Sequence, residues 1–333
     1  MNNTSFSSNP KTFQDVNLSI SVIVPTFNRE KILKKCLESL VLQSYPKDCF
    51  EVIVVDNNSR DCTAVFVLDF IKNHPEIHIK YIKEIEQGLV HSRHSGMKAS
   101  RYSLLSFTDD DAILSPNWLK EINRFFHLFP DAVAMAGKIQ ILWDKPPKPW
   151  VLKYEYILGK LNYGDGVFCR PGLFINGGNF VILKEILLRL GGFNVDQIGD
   201  WLVGDGETGL VRKIHDQNLP IGWNSNALMH HYQVSSQNGT LKDIRRRFVN
   251  QGRSDAFDRI VRTKTPFVLA LLKIVIGFGK ICIKNLLRVI KLLHDQPSDW
   301  REPYFSWMQT WSFIKFTLFL KHGGRHLLKR NWI

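Results

Sequence analysis

Three consecutive carboxylates, Asp109-Asp110-Asp111, are the residues in this chain best suited to chemistry. Alternate carboxylates on a tight turn can point the same way and hold one divalent cation. Mg2+ or Mn2+ prefers oxygen ligands and readily shares them with phosphate. A cation held there would neutralise charge on a departing nucleoside diphosphate. An isolated acidic triplet is more often a solvated turn, so its setting must carry the argument. Asp56, in Val54-Val55-Asp56-Asn57-Asn58-Ser59, could accept from a nucleobase N–H or from ribose, or simply serve as a turn residue. Arg93, with Gly88 and Gly96 nearby, could face a pyrophosphate, or lie on a helix surface.

The elements around these residues give the setting. Ile20 to Val24 is a short apolar run ended by Pro25, and Val52 to Val55, Ile79 to Ile82 and Tyr102 to Phe107 are further strand-like runs. Helical spacing intervenes: Ile32, Leu33, Cys36, Leu37, Leu40 and Val41, then a helix from about Asp61, then residues 87–100. Continuous apolar strands alternating with helices predict an α/β fold, a mostly parallel sheet with helices on both faces. Ligands of such sheets bind at the carboxyl ends of strands. Pro25-Thr26-Phe27-Asn28, Asp56-Asn57-Asn58 and Asp109-Asp110-Asp111 each follow a strand, so three polar loops should converge on one edge. Residues 140–175 break the rhythm, and Pro146-Pro147-Lys148-Pro149-Trp150 suggests a long loop or flap.

Composition sets the outer bounds. Hydrophobic residues make up 44% of 333, enough for a sizeable core. The five cysteines are scattered and no pair has zinc or redox spacing, which fits a reduced, cytoplasmic setting. Residues 1–17, rich in Asn and Ser, read as a disordered lead-in rather than a signal peptide. The formal charge is +13, and all of the excess lies after residue 239, where 19 Lys/Arg face 6 Asp/Glu. That asymmetry points to an acidic surface as partner.

Taken in order, the motifs resemble a known family. Ser21-Val22-Ile23-Val24-Pro25-Thr26-Phe27-Asn28-Arg29 resembles the opening strand and loop of family-2 glycosyltransferases with the GT-A fold. Val54 to Ser59 resembles their second-strand motif, and Gly88 through Gly96 with Phe107-Thr108-Asp109-Asp110-Asp111 resembles their helix and DxD turn. Asn176-Gly177-Gly178-Asn179 and Gly191-Gly192-Phe193 match the acceptor side. The resemblance covers roughly residues 18–260 and implies a GT-A type, Rossmann-like sheet. It implies that Pro25, Thr26, Asn28, Asp56, Arg93, Asp109 and Asp110 bind the nucleotide, with Asp109 near ribose and metal and Asp111 the direct metal ligand. Gly178 and Asn179 should lie near the donor sugar or acceptor, and the aromatic 140–175 segment and Trp201 should bear on acceptor choice.

One departure matters. The family usually shows Gly-Glu-Asp with Leu three residues after the Asp, that Asp being the base. Here the segment reads Gly204-Asp205-Gly206-Glu207-Thr208-Gly209-Leu210. Counting back from Leu210 puts Glu207 at the base position, with Asp205 as the second candidate. Either carboxylate could take a proton from an acceptor hydroxyl, and either could instead cap the helix that follows. Relatives carry a histidine near the metal or diphosphate, and by its spacing from Ala227 His231 fits that place better than His230. Arg245, Arg246, Arg247, Gln251 and Arg253 resemble the basic segment that closes over the diphosphate, Arg247 and Arg253 being its diphosphate ligands.

The resulting expectation is an inverting transferase, dependent on Mn2+ or Mg2+, moving sugar from a nucleoside diphosphate sugar, with UDP as the nucleotide the resemblance implies. The acceptor would be a glycan or lipid-linked hydroxyl in cell-surface polysaccharide or glycolipid synthesis. Residues 18–262 would form the catalytic domain, divided into a nucleotide-binding half (18–115) and an acceptor half (116–262). Residues 263–333 would form a basic amphipathic helical region. Within it Lys273, Lys280, Lys284, Arg288 and Lys291 fall on one stripe of an otherwise apolar helix, and Tyr304, Trp307, Trp311, Phe313, Phe316 and Phe319 repeat the theme. Such helices suit the anionic, cytoplasmic face of a membrane, as a peripheral protein, or a hairpin packed on the catalytic domain. Nucleic acid fits less well, because the interleaving residues are aliphatic. A nucleotide-sugar binding scaffold without turnover is the competing reading.

Overall fold

The computed structural model describes residues 17–194, 197–198, 201–203, 205–264 and 300–321, with positions 266, 268, 269, 272, 276, 279 and 283 between. In chain order the first half comprises β1 (Ile20–Thr26), α1 (Glu30–Val41), β2 (Phe50–Asp56), α2 (Thr63–Asn73), β3 (His78–Lys83), α3 (Leu89–Ala99), β4 (Leu104–Thr108) and β5 (Ala112–Leu114). The second comprises α4 (Trp118–Leu128), β6 (Ala134–Trp143), a 3-10 helix (Pro149–Leu158), β7 (Val167–Cys169), β8 (Asn179–Leu183), α5 (Lys184–Arg189), the ribbon β9 (Gln197–Ile198) and β10 (Trp201–Leu202), α6 (Gly206–Asp216), β11 (Ile221–Gln233), α7 (Ser235–Asn238) and α8 (Leu241–Phe257). α9 (Arg301–Lys321) follows.

β1, β2 and β4 are buried along their whole length because helices cover both faces of the sheet. Side chains alternate along each strand. Val22 and Val24 of β1 therefore enter one core with Leu33, Leu37, Val52 and Trp118. Ile23 enters the other with Ile53, Phe107, Phe180 and Trp223. Strands β3, β2, β1 and β4 are parallel, which brings the ends of β1, β2 and β4 to one edge. That is the edge the sequence predicts for its three polar loops.

Beyond β4 the sheet becomes mixed, in the order β3-β2-β1-β4-β8-β6-β11-β5, with β7 also pairing β11. β8 runs antiparallel to both β4 and β6, while β11 runs parallel to β6 and antiparallel to β5. Both halves of the chain thus share one sheet, and both cores draw on residues from each half.

The long loop expected over 140–175 is corrected in part. β6 continues to Trp143, and Pro149 opens a 3-10 helix that ends at Gly159 in a left-handed conformation (φ 104°). Its Val151, Tyr154 and Leu158 pack on Ile244 and Phe248 of α8 and on Phe305 of α9. The proline-rich signal marked a helix start, since proline at the first helical position loses no needed N–H.

α9 lies along α8. Their contact is close because Gly252 has no side chain; a Cβ there would lie 2.1 Å from the Gln309 carbonyl oxygen. Of the two arrangements the sequence allowed for the tail, α9 therefore takes a packed one along part of its surface. The stripe Lys273, Lys280, Lys284, Arg288 and Lys291 lies outside the described residues. So do Gly204 and the Trp201 side chain, leaving only the Trp201 backbone in β10. Among the described residues no helix is long and apolar enough to cross a membrane.

Candidate active site

The loops after β1, β2 and β4 enclose a cleft of about 530 Å3 whose walls include Pro25, Thr26, Asn57, Gly88, Asp109, Asp110, Asp111, His231 and Arg247. The acidic turn forms because β4 ends at Thr108 and the chain reverses, Ala112 N–H donating to the Asp109 carbonyl at 3.2 Å. β5 then pairs with β11 so that His231 lies opposite Ala112. Tyr232 N–H donates to the Asp111 carbonyl at 2.8 Å, so the turn and β11 are held together. Strand alternation turns His231 and His230 to opposite faces, and His231 is the one that reaches the cleft.

Asp109, Asp111 and His231 each offer one ligand atom, all within 4.8 Å of one another. His231 Nε2 is 3.0 Å from Asp111 Oδ1. That contact is off line for a hydrogen bond, leaving the buried Oδ1 without a donor. An unspent buried acceptor beside an imidazole and a second carboxylate fits a divalent cation. Glycines shape the surroundings. A Cβ on Gly178 would meet Asp109 Oδ2 at 2.7 Å, and one on Gly177 would meet Arg93 Nη2 at 2.2 Å.

The electrostatics follow from crowding. Burial, with Asp111 adding to it, raises the Asp109 carboxyl against the pull of Arg93. Burial pushes Asp110 up to about 6, although Arg29 and Thr26 favour its charge. Burial also opposes ionisation of Asp111, but His231 and Arg29 outweigh it and hold that carboxyl below its ordinary value. For His231, burial disfavours the charged ring and Asp111 overcomes this, raising it.

Arg93 is 2% exposed and joins the turn to the later carboxylate. Its Nη1 donates to Glu207 Oε2 at 3.0 Å, and its Nη2 is 3.9 Å from Asp109 Oδ1. Glu207, in the first turn of α6, is 28% exposed. Asp205 just precedes α6 and is 1% exposed. Its oxygens accept from Asn194 Nδ2 (2.9 Å), Arg212 Nη1 (2.9 Å) and Ser254 Oγ (3.2 Å).

Several expected residues have other work. Asp56 Oδ1 accepts from Ser59 N–H (2.8 Å) and Oδ2 from the Tyr81 hydroxyl (2.7 Å), so both oxygens shape the loop. Asn28, at φ 53°, ties the first two loops: its N–H donates to Ser59 Oγ (2.9 Å), and its Oδ1 accepts from Arg60 N–H (2.7 Å). Asn179 is fully buried; its Oδ1 accepts from Trp118 Nε1 and its Nδ2 donates to the Lys138 and Ala227 carbonyls. That amide joins strands rather than facing the cleft. Arg247 lines the cleft with its Nε buried and unpartnered, whereas Arg253 contacts Asn250 Oδ1 at 3.4 Å and is not part of the cleft wall.

Arg29 carries a role that spacing did not reveal. Its Nη1 lies 2.9 Å from Asp110 Oδ1 and 2.8 Å from Asp111 Oδ2. Only its position directly after Asn28 hinted at nearness to the first loop.

Against known proteins, the family model for glycosyl transferase family 2 matches residues 21–191. Glucosyl-dolichyl phosphate glucuronosyltransferase of Haloferax volcanii is 24% identical over 142 residues, covering 42% of this chain and 45% of that protein. Glycosyltransferase AglE of the same organism is 35% identical over 101 residues, covering 30% of this chain and 33% of that protein. The alignments thus span less than half of either relative's length. Among solved structures, a mannosyltransferase of Pyrobaculum calidifontis in complex with GDP-mannose and Mn2+ shares the fold, with a TM-score of 0.55 at 17% identity over 93% of this chain and 76% of that one.

Proposed function

The chain belongs to glycosyl transferase family 2, and we propose that it transfers a sugar, with inversion, from a nucleoside diphosphate sugar to an acceptor hydroxyl. The observation that carries this reading is the cleft where Asp109, Asp111 and His231 gather beside Arg93 and its partner Glu207. Asp109, Asp111 and His231 would hold Mn2+ or Mg2+, which supplies charge neutralisation to the leaving diphosphate. Arg247 faces the same space and can pair with phosphate. Pro25 and Thr26 would border the nucleotide, and Gly178 lets the Asp109 carboxylate lie close to the start of β8. Glu207 would take the proton from the acceptor hydroxyl, since it is partly exposed and positioned by Arg93, while Asp205 is enclosed by its three donors.

We assign residues 18–262 to the catalytic unit and take UDP as the donor's nucleotide. A thermal-shift series across UDP- and GDP-sugars with Mn2+ or Mg2+, followed by product detection with the stabilising donor, tests the reading. A ligand that binds only the folded chain raises its apparent stability. No stabilisation by any donor, together with no donor cleavage, would overturn it.

The tail supports a membrane reading for the acceptor side. Trp300, Trp307, Trp311 and Leu318 are exposed at spacings that keep one helical face, and Lys315 lies over the Trp311 ring at 5.2 Å. Val268, Leu269, Leu272, Ile276 and Ile283 are exposed as well. Aromatic residues with lysine suit the headgroup boundary of an anionic bilayer. The enzyme would then work peripherally on the cytoplasmic face, on a lipid-linked or glycan acceptor of the cell surface. Flotation of the full chain with phosphatidylglycerol vesicles tests this. Binding undiminished by the Trp307→Ala/Trp311→Ala pair would remove that face from the account.

A further inference from the structure

Arg29 is the cation closest to the acidic turn, yet nothing in the transfer reaction described above uses it. Its single nitrogen Nη1 bridges two carboxylates, Asp110 Oδ1 at 2.9 Å and Asp111 Oδ2 at 2.8 Å. The two oxygens of Asp111 are thereby divided. Oδ2 serves Arg29, while Oδ1 faces His231 and the metal-ligand set. The rest of the guanidinium carries further N–H donors, and the side chain is 46% exposed in the cleft wall.

This placement has an electrostatic consequence. A divalent cation entering alone meets a carboxylate already neutralised at 2.8 Å, and a like charge close by. A nucleoside diphosphate changes the balance, because its oxygens are acceptors that match an arginine fork. Arg29 sits on the loop directly after Pro25 and Thr26, so the same cleft wall would border both nucleotide and metal. The exposed side chain can turn from carboxylate to phosphate without disturbing a packed core.

We propose that Arg29 is a resident cation that couples metal binding to nucleotide binding. In the nucleotide-free protein it neutralises Asp110 and Asp111 and holds free metal affinity down. With the donor present it moves to the diphosphate and releases Asp111. Metal and nucleotide then bind as a linked pair, and each raises the other's affinity by the same factor. This inference rests on the metal-dependent transferase reading.

The test measures Mn2+ binding by electron paramagnetic resonance of the unbound ion, with no turnover involved. The full chain, Arg29→Gln and Arg29→Lys are titrated alone and with UDP or, in parallel, GDP. Removing one partly exposed charge beside the site should tighten Mn2+ binding by Arg29→Gln about tenfold without nucleotide. The factor by which UDP or GDP tightens Mn2+ should shrink about as much, because the variant's site is already free of the cation that the nucleotide would draw away. Arg29→Lys keeps the charge and should stay within about threefold of the unaltered chain. Unchanged or weaker Mn2+ binding by Arg29→Gln, or Arg29→Lys behaving like Arg29→Gln, overturns the proposal and leaves the transferase reading standing. An unaltered chain that binds no Mn2+ with either nucleotide overturns the metal reading, and this inference with it.

Discussion

Glu207→Gln and Asp205→Asn test the proposal that Glu207 is the base and Asp205 a structural carboxylate. Asp205 is 1% exposed and accepts three hydrogen bonds, one of them charge-assisted from Arg212. An asparagine keeps the volume but offers one oxygen and adds two donors beside the donors of Asn194 and Arg212. Arg212 retains Asp258 at 3.3 Å, which softens the loss. One charged hydrogen bond at about 2 kcal/mol and a neutral one at about 1 give a cost of about 3 kcal/mol. For a chain of this size that is a fall in Tm of about 5 °C. Glu207 is 28% exposed with one partner, and glutamine still accepts from Arg93, so the stability change should stay below about 1 kcal/mol. Turnover should fall about 10²–10⁴-fold, the usual contribution of a positioned base. The assay pairs thermal melting with product formation from the donor that stabilises the protein. If Glu207→Gln turns over normally while Asp205→Asn melts normally and is inactive, the two roles are reversed and the reasoning from exposure is wrong.

Three further outcomes follow from the geometry. Asp111→Asn should weaken Mn2+ binding at least about 100-fold, because it removes the charge of the carboxylate whose buried, unpartnered oxygen lies in the cleft beside Asp109 and His231; calorimetry with Mn2+ and nucleotide checks it. Gly252→Ala should separate α8 from α9 and cost about 1–3 kcal/mol, since the new methyl would sit 2.1 Å from the Gln309 carbonyl; a lower Tm and faster cleavage between α8 and α9 by added protease are the readouts. Asn179→Ala should cost about 2–4 kcal/mol, leaving the Trp118 N–H and two carbonyls without their partner, and should show this in denaturant melts before any effect on donor binding.

Much of this was legible in the residues. The strands ending at Thr26, Asp56 and Thr108 announce themselves as apolar runs closed by polar loops, and the structure brings those loops to one edge. Parallel strands buried on both faces leave a strong local signal. Beyond Ala112 that signal fades. β5 has three residues, and β6, β8 and β11 pair with strands distant in sequence, so their order is set by long-range packing. Asn179 shows the limit at the level of a side chain. A polar residue beside two glycines reads as part of a binding site, yet here it serves Trp118 and two carbonyls. Arg29 shows the converse, because spacing cannot tell that a side chain leaving the first loop will cross to the turn after β4.

The short pairing of β5 with β11 has a consequence for when the site comes into being. It places a residue from the first half of the chain beside one more than a hundred residues later, with Tyr232 N–H on the Asp111 carbonyl. During synthesis the first four strands can emerge and pair among themselves, because their contacts are comparatively local. The acidic turn would then hang from an open sheet edge without His231 opposite it. Contacts of large sequence separation form late, since the loop between them must first be closed. Metal capture should therefore be a late event in folding, possible only once β11 has docked, and a nascent chain arrested before β11 should hold no Mn2+ at the turn.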